Sequence, residues 1–221
     1  MGKKKLQRYA EVPELENVTD MGDLPPQRKE WTCGNWNSGI FNRQAPLILE
    51  LACGKGDYTL GLAQHSPECN YVGIDMKGDR IWKAATLAMQ KKLHNVHFIR
   101  GRIDHITEFF DRDEVDQIWI TFPDPFPRKS KAKRRLTHSV FLQRYQHICK
   151  PGSKIHLKTD DEQFLEFTLD QLEQLNMPVE EVIRDVYVEN PVSDELLIKT
   201  YYETLHLSEG KCIKYIRFRV D

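Results

Sequence analysis

Several acidic residues stand at places in this chain where a carboxylate could do chemistry. The first is Glu50, in Leu49-Glu50-Leu51-Ala52-Cys53-Gly54-Lys55-Gly56. Gly54 and Gly56 let backbone approach a ligand closely. The turn is not G-x-G-x-x-G, the pattern that aims a helix N-terminus at a pyrophosphate. A carboxylate in it would repel phosphate. It suits a cationic, phosphate-free ligand such as S-adenosylmethionine, which carries a sulfonium and an amino group. The second acid, Asp75, follows the next apolar run, Tyr71–Ile74. An acid there can accept both ribose hydroxyls of an adenosine. The plainer alternative is a tight turn with a helix-capping aspartate.

The third acid is Asp124, in Thr121-Phe122-Pro123-Asp124-Pro125-Phe126-Pro127. Three prolines at alternate positions fix their own φ and bias their neighbours toward extended backbone. Asp124 is thus expected on a stiff loop. The octet Arg128–Arg135 (RKSKAKRR) follows at once, with six cations and no acid. Formal net charge is −1, so the other 213 residues carry −7. One concentrated basic segment on an acidic body suits a polyphosphate partner, bound through counterion release and weakened by salt. The fourth place is Lys158-Thr159-Asp160-Asp161. One of its two acids can cap the following helix while the other faces a cleft.

These residues need a scaffold that brings loops together. From Pro46 onward, strand-sized apolar runs alternate with amphipathic stretches. Strands are expected at 47–51, 71–74, 96–99, 117–120 and 154–158, and helices at 58–64, 79–92, 138–149 and 162–175. Such alternation argues for an α/β fold, a mostly parallel sheet covered by helices on both faces. Val179–Val188 and Cys212–Val220 read as an antiparallel pair closing the sheet. Residues 1–40 hold Pro13, Gly22, Pro25, Pro26, Trp31, Gly34, Trp36 and Gly39, and read as an irregular arm or lid. Residues 41–221 are left as one catalytic domain.

The chain's 40% hydrophobic and 29% charged residues exclude wholesale disorder. No apolar run approaches the roughly 18 residues that would cross a bilayer, and the N-terminus has no secretory pattern, so a cytoplasmic protein with no membrane partner is expected. The cysteines, at 33, 53, 69, 149 and 212, lack metal-finger spacing. Neither a disulfide framework nor a metal site is expected.

Taken together, the residues resemble the bacterial tRNA (guanine-N7)-methyltransferase family, whose fold is the Rossmann-like class I methyltransferase domain. The resemblance runs from about Trp36 to Phe218. Its most specific piece is FPDPFPRKSKAKRRL at 122–136, followed by Phe141, Pro151-Gly152, LKTD at 157–160, TYYE at 200–203 and IKYIRF at 213–218. It implies S-adenosylmethionine bound by Glu50, Gly54, Gly56, Asp75, the stretch around Arg102, and Asp124. It implies guanine and tRNA contacts from Arg128, Lys129, Lys131, Lys133, Arg134, Arg135, Asp160, Thr200, Tyr201, Tyr202 and Glu203. Asp124 would be the catalytic acid, and the target a guanine in the tRNA variable loop. The protein would be a monomer or homodimer. Ala52 stands where the family has a glycine, Arg102-Ile103 where it has an acid and an alanine (Asp104 lies two positions on), and Phe126 where it has tryptophan.

Guanine N7 has a lone pair and no proton, so it can attack a sulfonium methyl in line without a general base. Asp124 or Asp160 would accept from guanine N1–H and N2–H. Phe126, Tyr201 or Tyr202 would stack on an extruded base. Two alternatives are a methyltransferase acting on another RNA or DNA base and a non-catalytic RNA-binding module.

Overall fold

The computed structural model describes residues 3–22, 33–188 and 192–220. It separates into two compact units, Met1–Asp111 and Arg112–Asp221. Pro25, Pro26 and Trp31 of the expected arm lie outside the described residues.

In the first unit the chain begins with helix α1 (Lys3–Glu11) and strand β1 (Val18–Asp20). Both lie in the stretch expected as an irregular arm. Contacts distant in sequence hold α1 in place. Arg8 pairs with Asp79 at 3.0 Å, and Glu11 accepts from the Trp82 indole N–H at 2.7 Å. Trp36 is fully buried, stacks on Phe110 at 5.2 Å and donates to the Phe109 carbonyl at 2.9 Å. The remaining elements are β2 (Leu47–Leu51), α2 (Asp57–His65), β3 (Asn70–Asp75), α3 (Gly78–Gln90), β4 (Val96–Arg100) and the short α4 (Ile106–Phe109). Strand order is β1-β4-β3-β2, with parallel pairing throughout. Every residue of β2 and β3 is buried, as expected for strands covered on both sides. Helix α3 starts one residue before the expected 79, with Lys77 at its N-cap position.

The second unit holds β5 (Val115–Thr121), α5 (Ser139–Ile148), β6 (Cys149–Thr159), α6 (Glu162–Gln174), β7 (Val179–Ile183), α7 (Tyr201–Ser208) and β8 (Lys214–Arg219). Strand order is β5-β6-β8-β7. β5 and β6 run parallel, and β8 lies antiparallel to both β6 and β7. The sheet is thus mostly parallel with an antiparallel C-terminal pair. Strand β7 stops at Ile183, short of the alternating stretch to Val188, and α7 was not expected. Among the described residues no helix is long and apolar enough to cross a membrane.

Candidate functional site

In the first unit the loop from β2 to α2 is coiled by three left-handed residues, Ala52 (φ 58°), Gly54 (φ 59°) and Gly56 (φ 75°). The two glycines are there for different reasons. A Cβ on Gly56 would stand 2.8 Å from the Ala84 Cβ and 3.2 Å from the Phe98 ring, so this glycine packs the loop onto α3 and β4. A Cβ on Gly54 would meet nothing within 4 Å. Of the two, only Gly54 borders open space that a ligand can use. Ala52 accepts left-handed backbone, a strain of about 1–2 kcal/mol for a residue with a Cβ.

Glu50 is 3% exposed, and its Oε2 accepts from the Thr59 N–H at 2.8 Å and from the Thr59 hydroxyl. A carboxylate from β2 therefore occupies the amino end of α2, the place where a dinucleotide fold would take its pyrophosphate. Asp75 closes the loop from the next strand. Its Oδ2 accepts from the Gly54 N–H at 3.0 Å and its Oδ1 from the Lys77 N–H at 2.8 Å. Burial pushes the Asp75 carboxyl up from its ordinary range, while the Lys77 and Gly54 amides and the Arg80 guanidinium pull it back. Burial first, then Glu50 and Asp75, push the Cys53 thiol well up from its ordinary value. Arg102 and Asp104 follow β4 at the surface and pair with each other at 3.2 Å.

In the second unit the proline loop carries two strained aromatics, Phe122 (φ 48°) and Phe126 (φ 42°). Asp124 is exposed between them, and its Oδ1 accepts from the Phe126 N–H at 3.1 Å. The basic run forms a 3-10 turn over Lys129–Arg134 with Arg128 at its head. Arg128, Lys129, Lys133 and Arg134 are exposed and Lys131 is half-buried. Arg135 departs from its neighbours. It is buried, donates to the Pro125 and Phe126 carbonyls at 2.9 and 3.2 Å, and covers the Phe167 ring. Of the basic run expected to contact RNA, it is the member whose side chain turns inward.

The two acids after β6 differ in their partners. Asp161 caps α6 by accepting from the Phe164 N–H at 2.8 Å. Asp160 accepts from Lys211 at 3.1 Å and lies 3.4 Å from His206, whose ring neighbours Phe122. The Thr200–Glu203 tetrad, expected as one substrate contact, splits. Thr200 and Glu203 form a capping box that starts α7. Glu203 is fully buried and pairs with the equally buried Lys158 at 2.7 Å. Its Oε1 also accepts from the Tyr187 hydroxyl at 2.9 Å. The tetrad's accessible members are Tyr201 and Tyr202, 58% and 45% exposed.

Sequence reasoning missed Lys158 and Lys211. Nothing local marks either one, since Lys158 shares its strand with Lys150, Lys154 and His156, and Lys211 sits among Glu209, Gly210 and Lys214. The capping role of Glu203, by contrast, was written in the T-x-x-E spacing. Among the described residues no group of three or more histidine, cysteine or acidic residues could hold a metal ion.

A family profile described as a putative methyltransferase matches residues 44–216. A tRNA (guanine-N(7)-)-methyltransferase of Bacteroides thetaiotaomicron is 40% identical, covering 100% of this chain and 87% of that protein. One of the same name from Christiangramia forsetii is also 40% identical, over 99% of this chain and 98% of its own length. Among solved structures, the 16S rRNA methyltransferase KamB superposes with a TM-score of 0.63 at 12% identity, covering 81% of this chain and 90% of that one. An antibiotic-related methyltransferase gives 0.60 at 17%, covering 81% and 89%. These two likenesses concern the fold, which is that of class I methyltransferases. On the strength of its match over nearly its whole length, the chain belongs to the tRNA (guanine-N7)-methyltransferase family.

Proposed function

We propose that this protein transfers a methyl group from S-adenosylmethionine to N7 of a guanine in the tRNA variable loop. The observation that carries the cofactor reading is the Glu50 carboxylate bound to the amino end of α2. That end is satisfied by a side chain and repels phosphate, so a dinucleotide is disfavoured and a cationic ligand is suited. The open space above Gly54 leaves room for it. Asp75 retains lone pairs for ribose hydroxyls beside those taken by the two amides. When bound, S-adenosylmethionine supplies an electrophilic methyl group on a sulfonium.

The protein's own task is positioning and electrostatics, because guanine N7 has no proton to remove. We assign to Asp124 the guanine edge, accepting from N1–H and N2–H and stabilising positive charge that grows on the ring. Asp160 is less suited to that role, since Lys211 already pairs with it at 3.1 Å. Adenine presents a different set of donors and would be rejected. Phe126, Tyr201 and Tyr202 are the aromatic surfaces available to an extruded base. Arg128, Lys129, Lys131, Lys133 and Arg134 are assigned to the RNA backbone. A tRNA substrate makes the cytoplasm the expected compartment.

The test is incubation of purified protein with unmodified tRNA and S-adenosylmethionine labelled in its methyl group, followed by nucleoside analysis and mapping. Label in N7-methylguanosine at one variable-loop position supports the reading. Label in another nucleoside, or none, refutes it.

A further inference from the structure

Arg135 ends the basic run yet shares neither its exposure nor its surroundings. It is 9% exposed, with Nε donating to the Pro125 carbonyl at 2.9 Å and an Nη to the Phe126 carbonyl at 3.2 Å. Its guanidinium carbon lies 4.3 Å from the centre of the Phe167 ring on α6. The planar fork is thus committed to two carbonyls and one aromatic face. Those carbonyls belong to the two residues that follow Asp124. Phe126 is held at φ 42°, a backbone region that an aromatic residue occupies only under constraint. The Phe126 N–H in turn binds the Asp124 carboxylate at 3.1 Å. A chain of contacts therefore runs from α6 through Arg135 and the strained Phe126 to Asp124.

We propose that Arg135 is a positioning residue: it holds the proline loop in the strained form that aims Asp124, and it takes no part in binding the RNA backbone. Two of its five N–H donors, including Nε, are engaged by loop carbonyls, and the Phe167 ring covers one face of the guanidinium. Lysine is a poor replacement, because its ammonium has no planar face to stack on the ring and no rigid fork to fix the directions of the two bonds. The inference rests on the reading of Asp124 as the residue facing the reacting base.

The test compares Arg135→Lys, Phe167→Leu, Asp124→Ala and the double variant Lys133→Ala/Arg134→Ala. The readouts are kcat, KM for tRNA, the salt dependence of tRNA binding, and hydrogen exchange across residues 122–128. Arg135→Lys is expected to lower kcat about 10–100-fold, since a displacement near 1 Å of a reacting group costs that order. Its KM and salt slope should stay within about threefold of wild type, and exchange at the Phe126 amide should accelerate. Phe167→Leu should move kcat and exchange the same way by less. The double variant should instead raise KM and flatten the salt slope. Wild-type kcat and exchange in Arg135→Lys overturn the proposal, as does a loss of salt slope like that of the double variant. Should Arg135→Lys fail to fold, unchanged kcat and exchange in Phe167→Leu overturn it. Normal turnover by Asp124→Ala would instead sink the reading of Asp124, while the exchange data would still report whether Arg135 restrains the loop.

Discussion

Replacing Glu203 with glutamine removes the negative charge that pairs with Lys158 while keeping the side chain's shape. Both residues are fully buried, and the ammonium sits 2.7 Å from the carboxylate. It also donates to the carbonyls of Leu196 at 2.7 Å and Ile198 at 3.3 Å. Removing one partner of a buried pair costs about 3–5 kcal/mol, because the other charge stays behind in low dielectric. In a chain of this size each kcal/mol lowers Tm by roughly 2–4 °C, so Glu203→Gln should melt about 6–20 °C below wild type. Burial lowers the Lys158 pKa and Glu203 opposes that. Without Glu203 the ammonium should lose its proton more readily. A lysine whose folded pKa is depressed binds fewer protons folded than unfolded, so the variant should regain stability as pH rises toward the ordinary lysine range. Adding Lys158→Met should recover part of the loss, with a coupling of about 0.5–3 kcal/mol in the double-mutant cycle. Thermal unfolding by circular dichroism at several pH values reads all of this. A Glu203→Gln variant that melts within about 2 °C of wild type but no longer binds substrate would refute the argument, since Glu203 would then be acting on the ligand.

Further expectations concern other parts of the molecule. Gly56→Ala should cost about 2–5 kcal/mol in denaturant unfolding, from left-handed strain and overpacking against Ala84 and Phe98 together. Gly54→Ala should cost only the strain, about 1–2 kcal/mol, and should weaken S-adenosylmethionine in calorimetry; equal stability losses would contradict the distinction. Burial pushes the pKa of His97 down to about 4 from an ordinary 6.5. The folded state therefore binds fewer protons across that window, and about 3 kcal/mol of stability should disappear as pH falls from 6.5 to 4. His97→Gln should flatten that pH dependence, and an unchanged profile would assign it to other groups. Lys133→Ala/Arg134→Ala should lower the slope of log K against log salt for tRNA by about 2, measured by filter binding at several salt concentrations.

Much of this molecule is legible from its residue order. The buried strands announce themselves as Leu47–Leu51 and Tyr71–Ile74, and Glu50 and Asp75 stand at their ends beside a glycine turn. Burial of single polar side chains is not legible. Arg135 has the same type as the adjacent Arg134, and Phe167 and the loop carbonyls, distant in sequence or folded back, turn it inward. Lys158 and Glu203 are 45 positions apart, and their pairing depends on α7 returning to the end of β6. The start of the chain was obscured for another reason. Its helix α1 is stabilised by Asp79 and Trp82 rather than by its own pattern.

A carboxylate at the amino end of α2 should select a sulfonium ligand over a phosphate-bearing one. Isothermal titration of wild type and Glu50→Gln with S-adenosylmethionine and, separately, with NAD tests it directly. Wild type should bind S-adenosylmethionine at one site and ignore NAD, and Glu50→Gln should bind about 10–100-fold more weakly, the loss of about 1.5–3 kcal/mol for a charged partner. Binding of NAD by wild type, or undiminished affinity in Glu50→Gln, would contradict it.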